Sequence, residues 1–313
     1  MKVCLSVSYS PILRVQSTAV DGMDLEVQPR ISDWGVSGRK RIPHYLKTVT
    51  RLLRDARGAD WLLIANGSME VVFTGLYSRL LPRKTRLACL DFLMPQTTRL
   101  DALVARALKP FQQYFVIRRG DYHGLSLRYG VPDYKCSFVH FPADFALLSY
   151  PVSDGGYMYS AGWAQRDWDC LLKALSISRI PAKISPGRPI SMPKGLENTL
   201  EILKTLPPEE GRSYMADCSV AGLVFKDTLL PSGPLILLDA MALGKAIVAT
   251  NVNGTRDYVT HGENAILVPP GDARALADAL QFLMQNPELR LKLGANAREA
   301  VRKYSPETML QSL

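Results

Sequence analysis

The chain has 313 residues, 47% hydrophobic and 21% charged, with 22 glycines and 21 prolines. That balance excludes wholesale disorder and suits about two domains. No run of about 18 apolar residues occurs, so a spanning helix is excluded. The opening Met1-Lys2-Val3-Cys4-Leu5-Ser6-Val7 turns polar too soon for a signal peptide and reads as a first buried strand, which leads us to expect a soluble, cytoplasmic protein. The net charge of +9 is lodged in the first half: residues 1–150 hold 21 Lys and Arg against 12 Asp and Glu, and residues 151–313 hold 17 of each. A one-sided field of this kind suggests an anionic partner, either a membrane surface or a polyanion, with a merely solubilising surface as the alternative. Cysteines 4, 89, 136, 170 and 218 lie too far apart for a zinc or dithiol motif and are expected to be reduced and mostly buried.

In chain order, the first half alternates apolar runs with helical patterns. A strand at 3–7, a helix over 43–57, a strand at 61–65, a helix over 69–80 and a strand at 87–92 are predicted. A helix over 99–108, a strand at 114–117, a helix over 122–129 and a strand at 137–140 follow, while residues 15–38 show no clear period. Strands separated by helices imply crossover connections and a mostly parallel sheet. Pro151 and the turn Asp154-Gly155-Gly156 mark a boundary, which predicts domains over 1–150 and 151–304 and a terminal helix, 305–313, packing back on the first. The alternation then restarts with a strand at 157–161, a helix over 167–175 and a strand at 182–185. The stretch from Pro186 to about Gly211 has no clear assignment. A helix over 213–218, a strand at 220–225, a helix over 235–243, a strand at 246–250 and helices over 273–284 and 287–303 complete the chain.

The most legible segment is Leu230-Pro231-Ser232-Gly233-Pro234-Leu235, continuing as Ile236-Leu237-Leu238-Asp239-Ala240-Met241-Ala242-Leu243-Gly244-Lys245. Ser232 suits an N-cap, Pro234 the first helical position and Gly244 a left-handed C-cap. A helix start reached through a glycine turn after a strand is a ready anion site, since its N–H groups are unpaired and its dipole end is positive. Asp239, five residues beyond Pro234, stands about 7.5 Å along the axis, a sensible offset from a phosphate at the helix start to the hydroxyls of a ribose.

Further pieces lie at matching order and spacing around that helix. They are Ser160-Ala161-Gly162 with Arg166-Asp167, Gly254-Thr255-Arg256-Asp257-Tyr258-Val259, His261-Gly262-Glu263-Asn264 and Leu267-Val268-Pro269-Pro270-Gly271-Asp272. With them, residues 157–304 resemble the C-terminal half of the retaining nucleotide-sugar glycosyltransferases of GT-B architecture, family 4-like, also called glycosyltransferase group 1. Tyr129-Gly130-Val131-Pro132 and Phe141-Pro142-Ala143-Asp144 resemble the end of that family's acceptor domain.

The resemblance implies an α/β fold of two Rossmann-like domains, their parallel sheets facing across a cleft. It also implies transfer of a sugar, of the hexosyl kind, from a nucleoside diphosphate donor to an acceptor hydroxyl with retained configuration, on a lipid- or polysaccharide-linked acceptor. Its donor residues map to Gly162, Arg166, Ser232, Gly233, Pro234, Leu235 and Asp239, with Arg166 carrying the catalytic charge. Two departures stand out. Pro231 occupies the place of the family's first motif glutamate, and Trp163 that of the first basic residue of a pair. Asp91 stands near the place of the family's acceptor-domain histidine, and Asp227 is the nearest acid upstream of the helix. The leaving phosphate itself would take the acceptor's proton, and no Asp-x-Asp metal motif is read in the sequence, so no cofactor and no essential metal are expected. Base selection falls to the loop after the strand at 182–185. A catalytically impaired binding or regulatory subunit and, less favoured, a nucleotide-sugar epimerase are the alternatives. No nucleic-acid motif accompanies the positive charge. Arg79, Arg83, Lys84 and Arg86 around Tyr77, Leu80 and Leu81, with Arg39-Lys40-Arg41 as a second basic group, predict a basic amphipathic surface for an anionic membrane.

Overall fold

The alternating pattern resolves into two parallel sheets of six strands, each wrapped by helices. The structure is a computed structural model and describes residues 1–7, 24–29, 41–82, 84–230 and 233–313. One unit comprises Met1–His140 with Pro306–Leu313, and the other Phe141–Ser305. The division falls ahead of the Pro151 turn because residues 141–150 bond within the second unit. The Phe141 N–H donates to Tyr258 Oη (3.0 Å), the Ala143 N–H to the Tyr304 carbonyl (2.8 Å), and Arg298 to the Leu148 carbonyl. No helix among the described residues is long and apolar enough to cross a membrane. The five cysteines form no disulfide, and all but Cys136 are buried.

In the first unit, β1 (Lys2–Val7), β2 (Asp24–Pro29), β3 (Trp61–Ala65), β4 (Arg86–Leu90), β5 (Gln113–Val116) and β6 (Cys136–Phe138) take the order β2-β1-β3-β4-β5-β6. Helices α1 (Arg41–Asp55), α2 (Met69–Leu76), α3 (Asp101–Leu108) and α4 (Asp121–Tyr129) make the crossovers. The central strands are apolar throughout, as both-face burial demands; Leu62, Leu63, Ile64 and Ala65 are all buried. The helix expected over 69–80 stops at Leu76 and tightens into a 3₁₀ turn, Ser78–Leu80. β2 lies in the stretch that showed no period.

In the second unit, β7 (Met158–Ala161), β8 (Ala182–Ser185), β9 (Leu200–Ile202), β10 (Val220–Leu223), β11 (Ala246–Thr250) and β12 (Ile266–Val268) take the order β12-β11-β10-β7-β8-β9. The helices are α5 (Trp168–Ser178), α6 (Pro208–Asp217), α7 (Pro234–Ala242), α8 (Ala273–Gln285) and α9 (Pro287–Val301); α10 (Pro306–Gln311) belongs to the first unit. Leu171, Leu175, Ile184, Val220, Val248, Leu276 and Leu280 form the core between the sheet, α5 and α8. Each such side chain contributes roughly 1.5–3 kcal/mol on leaving water. From β7 the chain winds outward through β8 and β9; from β10 it winds the other way through β11 and β12. The neighbours β7 and β10 are therefore a switch point, where a crevice opens beyond the carboxyl ends of the strands.

Candidate functional site

At that switch point the segments leaving β7 and β10 are stitched together. Arg166 and Phe225 form an antiparallel bridge, flanked by Lys226 N–H to Gln165 O (2.8 Å) and Asp167 N–H to Val224 O (3.0 Å). Phe225 is anchored in turn to the end of β11, donating its N–H to Thr250 Oγ1 at 2.9 Å. The Arg166 guanidinium lies over the Phe225 ring, 4.1 Å from its centroid, a favourable cation–π placement. Gly162, at φ +106°, covers it closely: a Cβ there would meet Nη2 at 2.9 Å and Nε at 3.0 Å. Gly233, at φ +84°, lies against the same ring, where a Cβ would meet Phe225 Cζ at 2.6 Å. Gly162, Arg166, Phe225 and Gly233 thus gather where Gly233 turns the chain into α7.

Arg166 is buried, and among the described residues its Nε and Nη1 have no hydrogen-bond partner. Burial pushes its pKa down to about 9, so it keeps its charge at neutral pH with no carboxylate beside it. A buried, uncompensated cation is costly, by several kcal/mol, unless an anion reaches it. The first N–H groups of α7, unpaired by helix geometry, add donors at the same place. The arrangement suits a phosphate or diphosphate. Pro234 is buried and Leu235 half exposed at this helix start, whereas Ser232 and Pro231 lie outside the described residues. Trp163 is 66% exposed, and the loop after β8 packs against its Cβ at Gly187.

Asp239 faces α6, and sequence reasoning missed what it meets there. Arg212 Nε donates to Asp239 Oδ2 at 3.2 Å, while its Nη1 lies 3.3 Å from Asp144 Oδ2 and 3.4 Å from Glu209 Oε1. Asp144 is buried, and its Oδ1 accepts the Ala146 N–H at 3.2 Å, capping the 3₁₀ turn Phe145–Ser149. Burial pushes the Asp239 carboxyl up to about 6; Arg212 opposes that rise, and Asp144 and Glu209 add to it. Burial also works against the Arg212 charge, but Asp239, Asp144 and Glu209 outweigh it and hold its pKa above the usual arginine value.

Two sequence candidates take other places. Asp91 is held by its neighbours. At the carboxyl end of β4 it is buried, with Oδ1 held by Arg118 Nη2 (2.6 Å) and Oδ2 by Asn66 Nδ2 (2.9 Å), and Asp121 pairs with the same guanidinium at 2.7 Å. Each of its oxygens thus has a side-chain partner at the end of its sheet. Asp227 is exposed on the segment between Phe225 and α7. The chain does contain one Asp-x-Asp, Asp167-Trp168-Asp169, which corrects the reading that it has none; it opens α5, and Asp167 Oδ1 accepts the Cys170 N–H at 3.1 Å as its N-cap. In the basic segment, Arg79, Lys84 and Arg86 are exposed beside exposed Tyr77 and Leu80, whereas Leu81 turns inward; Arg83, Arg39 and Lys40 lie outside the described residues, as does the Arg41 side chain.

Against known proteins, residues 192–300 match the family model of the glycosyl transferases group 1. Over 70 residues the chain is 44% identical to the phosphatidyl-myo-inositol mannosyltransferase of Mycobacterium leprae, covering 22% of this chain and 19% of that one. Over 119 residues it is 30% identical to the D-inositol 3-phosphate glycosyltransferase of Corynebacterium urealyticum, covering 38% and 27% respectively. The chain thus aligns with less than a third of the length of either relative. Among solved structures, Anabaena HepE in complex with UDP superposes with a TM-score of 0.70 at 15% identity, over 99% of this chain and 97% of that one. The sucrose-phosphate synthase of Thermosynechococcus elongatus gives the same TM-score, identity and coverages. The chain has the GT-B fold, and the stretch that matches the group 1 glycosyl transferases, residues 192–300, lies within its second unit.

Proposed function

We propose that the protein is a hexosyltransferase. It takes a sugar from a nucleoside diphosphate donor held in the second unit and passes it to an acceptor hydroxyl with retention of configuration. The observation that carries this reading is Arg166: a buried guanidinium whose Nε and Nη1 have no partner among the described residues, roofed by Gly162 and set beside the start of α7. As the glycosidic bond breaks, charge accumulates on the leaving diphosphate, and preorganised donors lower the barrier most where charge develops. Arg166 and the α7 N–H groups supply those donors; the leaving phosphate takes the acceptor's proton. No divalent ion is required in this scheme, whose positive charge comes from the chain itself. Asp239 receives the ribose hydroxyls, and the loop at Gly187 meets the base.

The acceptor in this reading is lipid- or polysaccharide-linked, and the protein works in the cytoplasm, peripherally on the inner face of the membrane. Support comes from the first unit, which holds the entire charge excess, 21 basic against 12 acidic residues, and from the exposed patch of Arg79, Lys84, Arg86, Tyr77 and Leu80. The deciding experiment offers UDP-, GDP- and ADP-sugars to the purified protein and follows release of the nucleoside diphosphate. Release from one donor, lost in Arg166→Ala, is the expected outcome. Tight binding without release or transfer would favour a regulatory subunit, the reading that Pro231 in place of an acid suggests.

A further inference from the structure

We infer that Arg212, held by Asp144, is a positioning residue for the donor: it keeps Asp239 ionised and aimed so that the carboxylate can receive the ribose hydroxyls. The inference rests on the donor reading above and adds to it two residues outside the matched motifs' assigned roles.

The geometry is a relay with a fixed end. Asp144 cannot drift, because it is buried and one of its oxygens already caps the Phe145–Ser149 turn through the Ala146 N–H. Its other oxygen holds Arg212 Nη1 at 3.3 Å, and Arg212 presents Nε to Asp239 Oδ2 at 3.2 Å. Among the described residues Asp239 Oδ1 has no partner, so one oxygen is fixed and the other remains for a ligand. The planar guanidinium suits this task, since its donors leave at fixed angles and can serve two carboxylates at once. The charged groups facing Asp239 are Arg212 and Glu209 from α6 and Asp144 from the turn before β7. Arg212 is the cation among them, so it alone opposes both the two neighbouring acids and the burial that favour protonation. A protonated Asp239 loses the charge that strengthens its hydrogen bonds to the ribose. Donor affinity should therefore fall as pH drops through about 6, the value to which Asp239 is raised.

The test titrates the full chain with UDP-glucose and GDP-mannose by calorimetry between about pH 5 and about pH 8. Their diphosphates are esterified at both ends and stay ionised throughout. Wild type should bind one of them, with affinity falling on acidification around the Asp239 midpoint. Asp239→Asn should bind more weakly at neutral pH and lack that step. Arg212→Ala should bind roughly tenfold more weakly at neutral pH and move the step to higher pH, with Arg212→Lys restoring part of both. On the Asp239→Asn background, Arg212→Ala should change little more. Arg212→Gln reads the same shift if the alanine variant does not fold. An unmoved step in a folded Arg212 variant, or an equal loss on the Asp239→Asn background, overturns the positioning role. Failure of the donor reading looks different: either wild type binds neither nucleotide sugar, or Asp239→Asn binds as wild type does. In both cases there is no ribose contact for Arg212 to position.

Discussion

Arg166 sits where the cost of a charge and its usefulness have one cause. Gly162 and Phe225 exclude water from the guanidinium, which raises the energy of the unliganded site and strengthens its hold on an arriving phosphate. Because its charge would gain most as the diphosphate departs in the proposed transfer, Arg166→Ala should lower kcat by about 100-fold or more while raising the donor KM far less. Steady-state kinetics checks this; a change confined to KM would make Arg166 a ground-state binding residue. Asp239 gives a second prediction, in stability. Its folded pKa, about 6, lies above the ordinary 3.8, so the folded state favours the protonated form. The fold therefore gains stability as pH falls from above 6 toward 4 and loses it on the way back. Thermal melts should show that acid-side gain in wild type and a smaller one in Asp239→Asn. Gly162, Gly233 and Asp239 were legible in the sequence because each sits at a motif with a local signature. Arg212, Asp144 and Phe225 were not. Their roles arise where α6, the 3₁₀ turn and the end of β10 meet, and no periodicity encodes that meeting.

At the scale of elements, α7 is where local chemistry and tertiary packing agree. Gly233 adopts the left-handed backbone that reverses the chain, and Pro234 starts the helix without needing a hydrogen-bond donor. Gly233→Ala should cost about 1–3 kcal/mol from backbone strain. It must also displace Phe225, since the new methyl would lie 2.6 Å from Cζ. A lower melting temperature together with weaker nucleotide-sugar binding is expected; a drop in stability alone would separate the helix start from the anion site. The strands that escaped the sequence reading are the edge strands. β9 and β12 have three residues each, too few to show a pattern, and each pairs on one side only. β2 does alternate, with Leu25 and Val27 between Asp24, Glu26 and Gln28, but its acids hide it from a search for apolar runs. Central strands such as β3, apolar from end to end, and β11, apolar up to Thr250, matched their predicted limits. α6 begins earlier than the expected 213, at Pro208, and Glu209 and Glu210 in its first turn are the start signals that went unused.

At the scale of the molecule, the charge divides along the structural units: the first carries all of the +9, while the second balances 17 basic against 17 acidic residues. Diphosphate binding gives the first unit no reason for that excess, because Arg166 and α7 belong to the second. Arg79, Lys84 and Arg86 are exposed within a few residues of Leu80, which is 69% exposed, and Tyr77, which is 43% exposed, so cationic heads accompany exposed apolar groups along this segment, as at a lipid interface. Each Lys or Arg near an anionic surface contributes about 1 kcal/mol, which makes the attachment reversible and dependent on several residues together. Sedimentation with vesicles should show binding when anionic lipid is present and little when it is absent. That binding should weaken with salt, since the Debye length is already about 10 Å at 0.1 M. Arg79→Glu with Lys84→Glu should reduce sedimentation and leave nucleotide-sugar affinity in solution unchanged, because neither residue belongs to the unit that holds Arg166 and Asp239. Equal and negligible sedimentation with both kinds of vesicle at low salt would remove the membrane from the proposal and leave the basic unit to a soluble polyanion or to solubility alone.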